Sequence, residues 1–341
     1  MLAFECDYNN GAHPALLRRL LEANETAEPG YGYDRYTAAA AEKIKSFCGC
    51  PDADVYLLAG GTQTNAVVLR AILAPHEGAV AAATGHIHVH EAGAPEAAGV
   101  KVLALPSHDG KIDAGELAAY ARRFYADESR EHMVYPGAVY LSHPTEYGTL
   151  YRKAELTAIA EVCKAYGMRL FLDGARLGYG LMSRNTDVTI RDIAALCDVF
   201  YIGGTKVGAL IGEAVVFPKG NMPSHFENHV KRLGAMLAKG RLIGAQFDAL
   251  FTDDLYLQLG RRGIETAERL KDILHEKGYR FFLETDTNQQ FVILENAQMA
   301  RLAESVRFSQ WEPYDESHTV VRFATSWSTR DEDLAALREL L

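Results

Sequence analysis

The residues of this chain that could carry chemistry fall at the ends of short apolar runs. Val199-Phe-Tyr-Ile202 is followed by Gly203-Gly-Thr205 and then by a single lysine, Lys206. The run reads as a buried strand, and the glycine pair as a tight turn that presents the lysine. An ammonium beside buried strands is costly to desolvate, so its pKa falls and a neutral, nucleophilic amine becomes accessible, as Schiff-base chemistry requires. Taken alone, such a lysine also fits a plain structural role, snorkelling from a strand end. A second run, Phe171-Leu172, ends in Asp173, with Arg176 just beyond it. Parallel strands deliver ligand-binding groups at that point. A carboxylate that pairs with a protonated pyridine nitrogen, followed one strand later by a lysine able to form an imine, is the pairing that pyridoxal phosphate needs.

A phosphate seat stands upstream. Val55 to Ala59 reads as a strand, Gly60-Gly-Thr-Gln-Thr-Asn65 as a glycine turn and Ala66 to Leu73 as a helix. Amides of such a turn, at a helix N-terminus, favour an anion. Gly60, Gly61 and Thr62 are therefore candidate phosphate ligands, although the turn is neither a Walker loop nor GxGxxG. Further on, Gly85-His-Ile-His-Val-His-Glu91 places three histidines at alternate positions. On a strand they would share a face and suit a metal. The segment follows a completed strand and leads into Ala92 to Ala98, so a turn into a helix is expected, with no metal bound. His86, first after the turn, is best placed to stack on a cofactor ring.

These residues are spaced by alternating strand-like and helix-like segments up to Lys206, which predicts an α/β fold with a doubly wound, mostly parallel sheet. Gly208 to Gly212 and Ala214 to Phe217 are expected to continue that sheet. Beyond Pro218 the pattern turns helical and basic, with Lys231, Arg232, Lys239 and Arg241; the last third reads as a long helix over about 253–277 with strands near 279–283, 290–294 and 319–324. The expected division is an N-terminal arm (1–36), a large α/β domain (37–245) and a smaller α+β C-terminal domain (246–341). The chain has 341 residues and a formal net charge of −10, without a long basic run, which argues against nucleic acid or anionic membrane as partner. No apolar run is long enough to span a bilayer and no signal-like segment opens the chain, so a cytoplasmic protein is expected. Its five cysteines are odd in number and sit mostly in apolar segments, unlike a disulfide framework.

Taken in order, these motifs resemble the low-specificity L-threonine aldolases of the β-eliminating lyase group, pyridoxal phosphate enzymes of fold type I with the aspartate-aminotransferase-like fold. Tyr31-Gly-Tyr-Asp34 looks like that family's YGxD loop and Gly60-Gly-Thr62 like its SGT phosphate turn. His86 resembles its stacking histidine, Asp173-Gly-Ala-Arg176 its DGAR, Thr205-Lys206 its SK pair and Arg322 its carboxylate-binding arginine. The chain departs from the family where Gly60 and Cys6 replace serines and where His143-Pro-Thr-Glu146 replaces an ENT-type segment.

The resemblance implies a carbon-carbon lyase that cleaves threonine, allo-threonine or related β-hydroxy-α-amino acids to glycine and an aldehyde. Lys206 would hold pyridoxal phosphate, Asp173 would keep its ring nitrogen protonated, and Arg176 would contact cofactor or substrate. Arg322 would fix the substrate carboxylate, with Cys6 and Tyr33 lining the substrate pocket and Arg241 helping to neutralise phosphate. His86 or His90 is the candidate base. The tyrosine-rich 30–36 segment and the basic 231–241 stretch suggest a homo-oligomer, a dimer or dimer of dimers, whose sites are completed across an interface. β-Elimination and racemisation share the early chemistry, and a cofactor- or metal-binding protein without turnover is the non-enzymatic alternative.

Overall fold

The computed structural model describes all 341 residues. The strands, in chain order, are β1 (Leu2–Ala3), β2 (Asp54–Leu58), β3 (Glu77–Ala82), β4 (Lys101–Leu105), β5 (Tyr135–Ser142), β6 (Arg169–Asp173), β7 (Val199–Gly203), β8 (Glu213–Phe217), β9 (Arg280–Leu283), β10 (Gln289–Glu295), β11 (Val306–Arg307), β12 (Ser309–Pro313) and β13 (His318–Ala324). Seven of them form the central sheet, in the order β2-β8-β7-β6-β5-β3-β4. Its strands run parallel except β8, which is antiparallel to both β2 and β7. β7 and β8 are buried along their whole length, which is why their sequences are apolar without alternation. Apolar residues pack on both faces of the sheet: Val139, Leu141, Leu172 and Phe200 on one, Ala138, Tyr140, Phe171 and Tyr201 on the other.

Parallel strands bring their C-terminal ends to one edge. Ala59, Ser142, Asp173 and Gly204 lie there, and β8, running the opposite way, starts at the same edge with Glu213, which pairs with Leu58 on one side and Gly203 on the other. The backbones approach closely between β6 and β7: Gly203 N donates to Gly174 O at 2.9 Å. A Cβ on Gly174 or Gly203 would strike a carbonyl of the neighbouring segment. The two glycines thus let the Asp173 and Lys206 turns sit side by side.

Two local expectations are corrected. The helix expected from Ala66 begins at Gly61 and runs to Ile72, because Gly60 is extended (φ −164°, ψ 158°) and acts as its N-cap. The polar residues read as a turn are the helix's first turn. Gly208 to Gly212 is not a strand but a series of turns, with Val207 and Ala209 amides both donating to Gly204 O and Gly208 at φ 101°. Only Ala209 of its apolar residues is buried, while Leu210 is exposed and Ile211 half-buried, so run composition alone misassigned it. At the histidines, a short helix spans His86–Val89, and His88 points to solvent.

The C-terminal part holds an antiparallel sheet in the order β12-β13-β10-β9, reached through the Leu255–Glu276 helix. β12 was not expected from the sequence; its residues are only half-buried and carry no continuous apolar run. β1 pairs in parallel with β11, so the chain's start is fastened to this C-terminal part. No helix is long and apolar enough to cross a membrane.

Candidate active site

At the C-terminal edge of the central sheet lies a cavity of about 300 Å³, lined by turns from β2, β3, β5, β6 and β7. Lys206, Asp173, His86, Arg176, Gly60, Gly61 and Thr62 all border it. So do three groups that the sequence reading did not single out, Tyr201, Glu146 and Glu213.

Asp173 ends β6 and is almost fully buried. Its Oδ2 accepts from Tyr140 Oη at 2.5 Å and Asn65 Nδ2 at 3.1 Å, and its Oδ1 from Tyr201 Oη at 2.5 Å and the Ala175 amide at 2.9 Å. Burial pushes its carboxyl up, but the His86 ring and these donors together hold it below the ordinary value. The site keeps an ionised carboxylate in an apolar setting. Tyr140 and Tyr201 lie mid-strand, and a buried tyrosine needs a hydroxyl partner; that was the available sequence signal for them.

Lys206 keeps part of its surface open while its amine sits among buried groups. Burial is the main influence that lowers its pKa, followed by the Arg176 charge; Asp7, Asp173 and Glu213 act the other way. Glu213 is shifted oppositely, up to about 8, by burial foremost, although a 2.8 Å hydrogen bond from Thr205 Oγ1 to its Oε1 and the Lys206 charge favour its ionised form. Both directions favour uncharged partners, an amine and an acid, at the heart of the cavity.

Arg176 is not free. Its Nε and Nη2 donate to Asp7 Oδ2 and Oδ1 at 2.7 and 3.0 Å, and Asn288 Nδ2 donates to Asp7 at 2.9 Å. Burial opposes the Asp7 charge, but Arg176 and Lys206 outweigh it and hold the carboxyl at about 2. Arg322, on β13, donates to Gln289 Oε1, Glu5 O and Ser309 Oγ, stacks 5.1 Å from the Trp311 ring centroid, and leaves its Nε buried without an acceptor.

His86 stands over the cavity with its Nδ1 2.8 Å from Glu91 Oε1, and its amide donates to Glu146 Oε1 at 2.9 Å. Ser142 Oγ donates to the same Glu146 oxygen at 2.5 Å. His90 lies beside it, the ring centroids 5.7 Å apart. No group of three His, Cys, Asp or Glu side chains is spaced to hold a metal.

Arg322, just described, does not border this cavity within the chain, and neither do Cys6, Tyr33 and Arg241. Cys6 donates to Asn9 Oδ1 at 2.7 Å and borders a different cleft, while the adjacent Asp7 is turned inward. Tyr33, 64% exposed, bonds Glu227 through its hydroxyl. Arg241 donates to Thr26 O and borders an apolar cavity of about 550 Å³ with Leu17, Leu21 and Leu242.

A family model described as beta-eliminating lyase matches residues 7–297. The chain belongs to the beta-eliminating lyase family. Within that setting it is similar to the low specificity L-threonine aldolase of Pseudomonas aeruginosa, 28% identical over 341 residues that cover 99% of this chain and 95% of that protein. The structure of a Leishmania major threonine aldolase superposes with a TM-score of 0.95 at 39% identity, covering 100% of this chain and 98% of the other. Aspartate aminotransferase from Thermus thermophilus, 16% identical with a TM-score of 0.71 over 100% of this chain and 90% of its own, shares the fold.

The donor set of this beta-eliminating lyase fits pyridoxal phosphate. Gly60 opens the Gly61–Ile72 helix with no side-chain cap, and a Cβ there would meet nothing within 4 Å, leaving room for a phosphate at the helix N-terminus. Asp173 offers an ionised carboxylate for the ring nitrogen, His86 a flat ring, and Lys206 an amine.

Proposed function

We propose that this chain is a pyridoxal phosphate-dependent aldolase that cleaves L-threonine, L-allo-threonine or related β-hydroxy-α-amino acids to glycine and an aldehyde, working in the cytoplasm as a homo-oligomer. The observation that carries the reading is the convergence of Lys206, with its lowered amine pKa, and the ionised Asp173 on one cavity beneath an uncapped helix N-terminus. The likeness to the Leishmania major threonine aldolase over the whole chain supports the substrate class.

When bound, pyridoxal phosphate supplies an electron sink for the pair released as the substrate Cα–Cβ bond breaks. Lys206 is the amine that tethers it, and Gly60, Gly61 and Thr62 seat its phosphate. Asp173, kept ionised by four donors, holds a proton on the ring nitrogen. Arg322, whose Nε has no acceptor within the protein, would donate to the substrate carboxylate and so orient the substrate. His86 takes the β-hydroxyl proton at Nε2, so that the aldehyde carbonyl forms as the Cα–Cβ bond breaks; a proton returned to Cα completes glycine. Tyr33 and Arg241 serve the site of a neighbouring subunit.

Glycine release from each threonine stereoisomer by the cofactor-loaded protein tests this directly. Lys206→Ala should keep the fold and lose both turnover and the visible absorbance of lysine-bound cofactor. A wild-type protein that takes up the cofactor and releases no glycine from any β-hydroxy amino acid rejects the aldolase reading.

A further inference from the structure

Behind His86, away from the cavity, Glu91 and Asn65 form a buried polar link, of which the reaction described above uses only the Asn65 contact to Asp173. Glu91 is 5% exposed and Asn65 fully buried. One oxygen, Glu91 Oε1, lies 2.8 Å from His86 Nδ1 and accepts from Asn65 Nδ2 at 2.7 Å. The same Asn65 nitrogen donates to Asp173 Oδ2 at 3.1 Å. The two nearest partners of Asn65 Nδ2 are carboxylate oxygens, with Tyr140 Oη farther off at 3.5 Å, so its NH₂ must face them. A carboxylate oxygen offers only acceptor sites, so toward Glu91 Oε1 the 2.8 Å contact is a hydrogen bond when the His86 proton sits on Nδ1.

We infer that Glu91 is a positioning residue for the aldol reaction: it pins His86 in the Nδ1–H tautomer, leaving the Nε2 lone pair as the only ring site able to take a proton from the cavity. The inference rests on the aldolase reading for its consequence, though not for its geometry. A carboxylate behind an imidazole sets ring orientation and stabilises the imidazolium formed when the ring accepts a proton. Asn65 extends the link to Asp173, so the group that polarises the ring nitrogen and the base share one hydrogen-bonded chain. The arrangement is not built for stability. Glu91 Oε2 and Asn65 Oδ1 are buried without partners, a cost that a purely structural pair would avoid by substitution with apolar residues.

The test uses ¹⁵N-histidine NMR of the apoprotein at a pH where His86 is neutral, together with kinetics of the cofactor-loaded enzyme. Wild type should show His86 protonated on Nδ1. Glu91→Leu, which removes the acceptor, should lose that signature and lower kcat on the order of 10–100-fold with little change in KM. Glu91→Gln retains an acceptor oxygen, so it should keep the tautomer and recover much of the lost rate. A wild-type ring protonated on Nε2 overturns the inference even if Glu91→Leu fails to fold, as does a Glu91→Leu protein with unchanged tautomer and rate. If the wild type shows the Nδ1–H ring yet does not cleave threonine, the aldolase reading fails while the positioning geometry stands.

Discussion

Arg176 and Asp7 form a two-pronged ion pair, Nε to Oδ2 at 2.7 Å and Nη2 to Oδ1 at 3.0 Å, with the Asp7 side chain wholly buried. The guanidinium fork is therefore already engaged by the protein, and Arg322 is the arginine with a buried, unpartnered N–H left to offer. That one N–H, on a guanidinium whose other nitrogens are anchored to Gln289, Glu5 and Ser309, can donate a charge-assisted hydrogen bond to a carboxylate, and a lysine reproduces neither the anchoring nor the direction. Arg322→Lys should cost about 2 to 4 kcal/mol of transition-state stabilisation, roughly thirty- to thousand-fold in kcat/KM, with cofactor retained. Asp7→Asn should act on stability instead, by about 3 to 5 kcal/mol, because it leaves a buried arginine unpaired. Steady-state kinetics and denaturant titration separate the two. Equal kinetics for Arg322→Lys and wild type would remove Arg322 from the site.

The Asp173 environment yields a second expectation. Tyr201 and Tyr140 each place a hydroxyl 2.5 Å from the carboxylate, and hydrogen bonds to a charged group contribute about 1.5–3 kcal/mol. Their removal favours the neutral acid. In Tyr201→Phe the Asp173 carboxyl should titrate at higher pH, so the acidic limb of the cofactor-loaded enzyme's pH–rate profile moves up and cofactor is held less tightly. Spectroscopic titration of cofactor against the apoprotein reads the second effect without turnover. An unmoved limb and unchanged affinity would show that burial and the Ala175 amide suffice.

Much of this site was legible because strand-end chemistry leaves local signals. Lys206, Asp173 and the Gly60-Gly61 turn each follow an apolar run, and the parallel sheet brings the ends of such runs to one edge. The Asp7–Arg176 pair joins residues 169 positions apart, and no local pattern announces it. Glu91, Glu146 and Glu213 were passed over for a related reason: an acid beside a loop reads as solvated until the fold buries it. Residue spacing did anticipate the short His86–Val89 helix, which turns His88 away from His86. Arg241 and Tyr33 are a different case, because a single chain does not place them beside Lys206 at all.

His143, which follows β5, gives a pH prediction. The ring is fully buried with Nε2 unpartnered, and burial pulls its pKa from 6.5 to about 4. The folded state holds it neutral, whereas the unfolded state takes up a proton below about 6.5. The stability it contributes is thus complete above that pH and is lost as pH falls toward about 4, to the extent of about 3 kcal/mol. His143→Leu should flatten the fall in stability across that window when thermal or urea midpoints are followed against pH. The same acid sensitivity in both proteins would assign the loss to other groups.

Assembly provides the last prediction. Tyr31 and Tyr33 are 45% and 64% exposed, and Leu17, Leu21 and Leu242 leave an apolar surface open beside Arg241. Aromatic and arginine-bearing loops are enriched where subunits meet, so these segments suit a second copy of the chain better than solvent. If Tyr33 and Arg241 complete the neighbour's cavity, a Lys206→Ala subunit and a Tyr33→Ala or Arg241→Ala subunit, each inactive alone, should complement each other. In the hybrid dimer one site would combine an intact Lys206 from one chain with intact loop residues from the other, restoring about half of the wild-type rate. The two subunits should be co-expressed with different tags and purified on both, so that only hybrids are assayed. A hybrid as inactive as its parents, or a monomer that turns over threonine when sedimentation is run at assay concentration, would return every catalytic group to a single chain.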